Sequence, residues 1–271
     1  MNTPHPAHTR PLETQYPSEL NGVCFISDLH LSVDMPRTLT QFEHFCQTIA
    51  PQYSALIILG DLFEFWIGDD VAHENPAAQR FIKAVSALTQ RGLFVGFMVG
   101  NRDFLVRDAY CRLARMTPLP DPCAMKINGQ AVLLTHGDLL CTDEKGYQRF
   151  RRIVHLNWVQ NVFLKLPQSW RNGLAQNIRN KSKRREYSVQ HGNMPAQNIP
   201  AKTAAAWFEK FAVRYIIHGH THQPSTHLTY DTTRIVLPDW ECENPAHTRW
   251  GYISWPKGES TPQLIVKNMT E

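Results

Sequence analysis

Five short apolar runs set the limits on what this chain can fold into, because each one stops at residues able to bind metal. Val23–Ser27 leads into Asp28-Leu29-His30, Ala55–Leu59 into Gly60-Asp61, and Leu93–Val99 into Gly100-Asn101-Arg102-Asp103. Ala131–Thr135 leads into His136-Gly137-Asp138, and Arg214–Ile217 into His218-Gly219-His220-Thr221-His222. Runs this short and this rich in Val, Ile, Leu and Phe read as buried strands. Between them, Thr38–Ala50, Ala77–Gln90 and Asp103–Met116 carry apolar residues at helical spacing. The alternation predicts parallel strands covered by helices. Asn128-Gly129 is a hairpin signal leading into the strand at Ala131.

The remainder of the chain is organised differently. Glu144 to about Arg185 has long helical patterning broken at Pro167 and no strand candidate. A helix from Thr203 to Phe211 follows. The shorter segments His227–Tyr230, Arg234–Leu237, Tyr252–Trp255 and Leu264–Lys267 predict antiparallel strands closing a second sheet. With 271 residues, 42% of them hydrophobic, the chain can bury a full core as one large domain or two small ones. The simplest architecture is a layered α/β domain over residues 21–271, with a helical insertion at about 144–200. Residues 1–20, polar and Pro-rich, read as a disordered leader without the apolar core of a secretory signal. The six scattered cysteines lack paired spacing and read as reduced core thiols of a cytosolic protein.

Charge is unevenly spread. Eleven of the 28 Lys and Arg fall between Lys145 and Arg185, where there is no Asp or Glu. The other residues therefore carry −7 against an overall +4.

The spacing of the polar residues has a physical reason. Residues two apart in extended chain point the same way, so Asp28 and His30 can converge on one ion, as can His220 and His222. The glycines at 60, 100, 137 and 219 allow close backbone approach beside such a site. Any one of these residues alone is ordinary turn or cap chemistry. Five strand ends carrying them in series, at the edge where open α/β sheets bind ligands, point to a metal centre. Asp, Asn and His together suit Mn²⁺, Fe or Zn²⁺ rather than Ca²⁺ or a thiolate-bound metal. Asp28, His30, Asp61, Asn101, His136, His220 and His222 are too many for one tetrahedral ion and suit two octahedral ones.

In this order the motifs Asp28-x-His30, Gly60-Asp61, Gly100-Asn101-x-Asp103, His136-Gly137 and Gly219-His220-x-His222 resemble those of the calcineurin-like metallophosphoesterases. The resemblance covers roughly residues 23–222 and implies a two-sheet β-sandwich flanked by helices. It implies that Asp28, His30, Asp61 and His222 hold one metal, and Asp61, Asn101, His136 and His220 the other.

Arg102 narrows the chemistry. Most members of the superfamily have histidine there, a general acid for an alcohol leaving group, and arginine cannot release its proton. A leaving group that needs no acid is itself a phosphate, whose second pKa is about 6. The stretches Gly60–Asp70, Gly100–Phe104 and His136–Asp143 resemble the branch of the superfamily that hydrolyses UDP-2,3-diacylglucosamine in lipid A synthesis. That likeness implies two Mn²⁺ and cleavage to UMP and 2,3-diacylglucosamine 1-phosphate (lipid X) at the cytoplasmic face of the inner membrane. It also implies catalytic roles for Asn101, Arg102 and His220, and substrate contacts from these three with Glu144 and Ser182. Asp103 and Asp138 read as partners that orient His or Arg, and Asp69 and Asp70 as caps for the helix beginning near Pro76.

The insertion admits two readings. Ile153, Leu156, Val159, Val162, Phe163 and Leu166 recur at helical intervals with Trp158 and Trp170 nearby. They form either a lid that shelters acyl chains and docks on anionic lipid, or a helical hairpin packed on the core. The rival substrates are another nucleotide diphosphate or a nucleic acid tracked by the basic block. The block's interleaved residues are mainly aliphatic, whereas single-strand grooves favour aromatics, so no nucleic acid and no obligate protein partner is expected. A metal-binding scaffold without activity is the rival from outside the enzymes.

Overall fold

The computed structural model describes residues 16–190, 198–244 and 248–268, with side chains except at 181–190 and 268. Its strands are β1 (Glu19–Leu20), β2 (Val23–Ile26), β3 (Ala55–Leu59), β4 (Phe94–Met98), β5 (Thr117–Pro118) and β6 (Cys123–Ile127). They continue with β7 (Gln130–Leu134), β8 (Tyr215–His218), β9 (Ser225–Thr229), β10 (Thr232–Val236), β11 (Arg249–Trp255) and β12 (Gln263–Asn268). The helices are α1 (Pro36–Thr48), α2 (Pro76–Gln90), α3 (Asp108–Leu113), α4 (Lys145–Val154), α5 (Asn157–Leu164), α6 (Gln168–Gln190) and α7 (Ala201–Phe211).

Two six-stranded sheets result, in the orders β12-β11-β2-β3-β4-β5 and β1-β6-β7-β8-β10-β9. β2, β3 and β4 pair in parallel, as the strand-helix alternation requires. Side chains alternate along β2: Val23 and Phe25 face the second sheet, among Cys123, Met125, Val132 and Ile217. Cys24 and Ile26 face outward, beneath Phe42 and Phe45 of α1 and Phe81 of α2. Across the molecule, Leu133 and Ile216 lie under Trp207, Phe208 and Phe211 of α7. Each inner strand is therefore buried on both faces, and this produces the unbroken apolar runs. Asn128 (φ +48°) and Gly129 (φ +77°) form the left-handed turn that closes the β6–β7 hairpin.

Four expectations need correction. The tail strands do not close one sheet together: β9 and β10 join the sheet of β8, with β10 parallel to β8. β11 and β12 extend the sheet of β2. The bound expected at residue 20 is too late, because Glu19–Leu20 pairs with Lys126–Ile127; residues 1–15, expected as part of the leader, lie outside those described. The helix expected over Asp103–Met116 is confined to Asp108–Leu113, since Asp103 is committed to the turn before it. Finally, Asn75 rather than Asp69 or Asp70 caps α2, accepting from the Ala77 and Ala78 amides at 3.0 and 3.2 Å.

Candidate metal centre

The loops that follow β2, β3, β4, β7 and β8 meet at one rim and lock one another in place. The amides of Asp28 and His30 donate to the carbonyls of Gly60 and Asp61 at 3.1 and 3.0 Å. The His220 amide donates to Asp28 Oδ2 at 2.9 Å, and the Arg102 amide to Asp61 Oδ1 at 2.9 Å. The Gly219 amide donates to the His136 carbonyl at 2.9 Å.

The backbone there is held in conformations that side chains rarely adopt. Nine non-glycine residues among those described have positive φ. Five of them are Asp28 (+54°), His30 (+49°), Asp61 (+51°), His220 (+68°) and His222 (+54°). Such strain persists where surrounding contacts over-determine it, and it clusters at functional sites. Gly100 and Gly219 complete the cradle. A Cβ on Gly100 collides with the amide and carboxylate of Asp61, and one on Gly219 with Ser27 and the Asp28 carboxylate.

Ligand-type atoms converge in two overlapping groups. Asp28, His30 and His222 each place one within 4.8 Å of the others, as do Asp28, Asp61 and His136. His30 Nε2 faces His222 Nε2 at 3.3 Å, and His222 Nε2 lies 3.3 Å from Asp28 Oδ1. His136 donates Nδ1–H to the Leu59 carbonyl at 2.8 Å, which turns Nε2 towards Asn101 Oδ1 at 2.9 Å and Asp61 Oδ1 at 3.7 Å. His220 Nδ1 meets Asn101 Oδ1 at 2.8 Å. Asp28 Oδ1 and His220 Nε2 are buried without a hydrogen-bond partner. Buried acceptor atoms left unmatched among carboxylates, an amide oxygen and imidazoles are a donor set that fits divalent cations.

Charge in the cluster is tightly opposed. Burial pushes the Asp61 carboxyl up, helped by Asp28 and Asp103 and opposed by His136 and Arg102, to about 7. Burial disfavours the imidazoliums of His136 and His222. The Asp61, Asp28 and Asp138 carboxylates overcome it at His136, and Asp28 and Asp239 at His222, raising both to about 9. Burial and the neighbouring His136 hold His220 down at about 3. His136 and His222 are thus protonated at pH 7 without metal, and Asp61 partly so, so loading must expel two protons or more. Apparent Mn²⁺ affinity should therefore rise with pH and level off above about 9. Calorimetric titration in buffers of different ionisation enthalpy measures the release; pH-independent binding below that point contradicts it.

All seven candidate ligands stand at this rim, and so does Arg102. Its guanidinium lies 3.1 Å from Glu64 and 3.7 Å from Asp61. Glu144 stands at the N-terminus of α4, half-buried. Ser182 belongs to α6, but its side chain lies outside the described residues. Asp103 orients backbone rather than His or Arg, accepting from the amides of Leu62 and Gly100 at 2.6 Å each. Asp138 does pair with an arginine, Arg151. Asp69 accepts from the amides of Arg107 and Tyr110 at the start of α3, and Asp70 pairs with Arg171 of α6.

Several residues at the site carry no mark in the sequence. Glu64, nearly buried, also binds Arg179 of α6 at 2.8 Å. Asp239 lies 3.7 Å from His222 Nδ1. Tyr147 and Arg151 have one signal, their spacing of four on a helix that closely follows His136-Gly137-Asp138.

The sequence pattern of the calcineurin-like phosphoesterases matches residues 22–224, most of the chain. The fold and this site define a calcineurin-like phosphoesterase. The chain is 44% identical to the UDP-2,3-diacylglucosamine hydrolase of Neisseria meningitidis, over 80% of its own length and 88% of that protein's. It is 41% identical to the hydrolase of the same name from Aeromonas hydrophila, over 80% and 89%. The corresponding protein of Ralstonia nicotianae is 37% identical over 92% and 95%. The chain belongs to the family of UDP-2,3-diacylglucosamine hydrolases.

Proposed function

We propose that this chain hydrolyses the pyrophosphate of UDP-2,3-diacylglucosamine to UMP and 2,3-diacylglucosamine 1-phosphate (lipid X) in lipid A synthesis. One cavity carries the reading: an apolar pocket beneath the insertion that opens on Asn101 and Arg102. Trp66 and Leu105 line it from the sheet side, and Phe150, Val159, Phe163 and Ile178 from the insertion. A substrate with two phosphates and two acyl chains matches a charged rim beside an apolar pocket. The apolar stripe of the insertion is thereby divided, with Val159 and Phe163 turned inward and Ile153, Leu156 and Val162 exposed.

In this reading Asp28, His30, Asp61 and His222 would hold one Mn²⁺. Asp61, Asn101, His136 and His220 would hold a second. When bound, the metals supply an activated water and neutralise charge at phosphorus. Arg102 grips phosphate oxygens with its fork of donors, its position set by Glu64 and Asp61. It keeps its proton throughout, and the departing phosphate requires none. Asn101 and His220 face the same phosphate and spread the charge that develops there. Glu144 and Ser182 are the further substrate contacts. Hydrolysis in oxygen-18 water should label UMP and not lipid X, because attack falls on the phosphate next to uridine. Deacylated UDP-glucosamine should be turned over at least ~10²-fold less efficiently, since each buried methylene contributes about 0.8 kcal/mol. Equal turnover of the two substrates would remove the lipid reading and leave the phosphoesterase.

Docking on the inner membrane belongs to the same proposal. Trp158 and Trp170 are each 67% exposed, and Ile153 and Val162 are more than half exposed. Lys145, Arg149, Arg152 and Lys165 lie on or beside the same helices. Aromatic and aliphatic side chains among cations suit an anionic lipid surface. The association proposed is peripheral, on the cytoplasmic face; no helix among the described residues is long and apolar enough to cross a membrane. The double variant Trp158→Asp/Trp170→Asp should bind anionic vesicles roughly tenfold more weakly or worse. Co-sedimentation measures this, and unchanged binding would refute the docking face.

A further inference from the structure

The first helix of the insertion does more than roof the pocket. α4 turns Tyr147, Gln148 and Arg151 towards the segment that follows His136. Arg151 Nε donates to Asp138 Oδ2 at 2.5 Å and Nη2 to Asp121 Oδ2 at 3.0 Å. Tyr147 donates its hydroxyl to the same Asp138 oxygen at 2.7 Å. Gln148 Nε2 donates to the carbonyls of Asp138 and Cys141 at 2.7 and 3.1 Å. Asp121 in turn accepts from Thr135 Oγ1 at 2.7 Å and from the His136 amide at 3.4 Å. The Tyr147 ring lies 6.1 Å from the His220 ring, 30° from parallel. Just beyond α4, the His155 ring lies 5.3 Å from that of Phe104, in the loop that carries Asn101 and Arg102. Phe150 and Val154 of the same helix line the apolar pocket.

We propose that Arg151 is a positioning residue: by bridging Asp121 and Asp138 it fixes His136, so the metal centre is complete only with α4 seated. The inference rests on the reading of His136 as a metal ligand. The side chains of Asp121 and Asp138 are 6% and 1% exposed, so their charges have little solvent to disperse them. One guanidinium forks between them. Without it the two carboxylates are left buried and uncompensated. They must then move apart or admit water, and both are tied to His136, one by a hydrogen bond and one by two links of chain. α4 is consequently a fixed wall shared by the pocket and the metal centre. An arginine suits this place because its rigid planar fork gives each carboxylate its own nitrogen, Nε to Asp138 and Nη2 to Asp121, whereas an ammonium must share one nitrogen between them.

The test is a Mn²⁺ titration of the metal-stripped full chain, with free Mn²⁺ counted by electron paramagnetic resonance. Wild type, Arg151→Met, Arg151→Lys and His136→Ala are compared, with thermal unfolding recorded for each. Arg151→Met is expected to lose roughly 10–100-fold in Mn²⁺ affinity, the usual scale for a partner that orients a ligand. Its kcat should fall while KM changes less than about threefold. Arg151→Lys, keeping the charge but with one nitrogen in place of two fixed donors, should lie about tenfold below wild type in affinity. It decides alone if Arg151→Met does not fold. Wild-type affinity in Arg151→Lys, or in a folded Arg151→Met, overturns the inference whatever the melting temperature. His136→Ala separates the two claims: if it too binds like wild type, the ligand reading falls as well.

Discussion

His136→Ala is expected to lower kcat/KM by roughly 10³-fold or more, the scale on which a single charge-stabilising group acts at a reacting centre. The residue is wholly buried, and its Nδ1–H is spent on the Leu59 carbonyl, which leaves Nε2 aimed into the cluster. No neighbour can replace that nitrogen, because the adjacent residues are themselves held by the β7–β8 register and the Gly219 amide. The loss should appear in kcat with metal saturating, and in a metal count below that of wild type. Steady-state kinetics and metal analysis on the same preparation measure both. Activity within tenfold of wild type would remove His136 from the centre.

Gly100→Ala is expected to be nearly as damaging, for a steric reason. The added methyl group falls on the amide and carboxylate of Asp61, not on the free end of a flexible side chain. Asp61 already sits at φ +51°, so the loop after β3 has no easy direction in which to move. Overpacking of this kind costs about 1–3 kcal/mol of stability. A shift near 1 Å at a reacting centre costs on the order of 10²-fold in rate. Gly173→Ala is the control. An added Cβ on that α6 residue meets nothing within 4 Å, so it should gain about 0.5–1 kcal/mol from helix propensity without loss of activity. Thermal unfolding and kinetics on the pair report the contrast, and a fully active Gly100→Ala would refute the close-packed cradle.

The candidate site was largely legible in the sequence because it lies at the ends of strands buried on both faces. Such strands leave unbroken apolar runs, and against these Asp28, Asp61, Asn101, His136 and His220 stand out. The tail was not legible to the same degree. Alternation marks β10 and β11 as strands, but nothing in it says which sheet each one joins, and β11 is buried along nearly its whole length. The strands β1 and β5, two residues each, are too short to leave a pattern. The network around the ligands was almost invisible. Arg151 and Asp121 are 30 positions apart and Arg179 and Glu64 are 115 apart, distances at which spacing carries no information about contact. Asp69 and Asp70 were misplaced for a related reason: their partners, Tyr110 and Arg171, arrive from distant elements and prevail over the local cap.

The proposed function turns on metal-dependent cleavage of one pyrophosphate. The most direct measurement incubates metal-stripped protein with UDP-2,3-diacylglucosamine, with and without Mn²⁺, and follows the products by ³¹P NMR. UMP and lipid X appearing only with metal is the predicted result. Cleavage without metal, or metal-dependent cleavage of simple phosphodiesters with this substrate left intact, would contradict it.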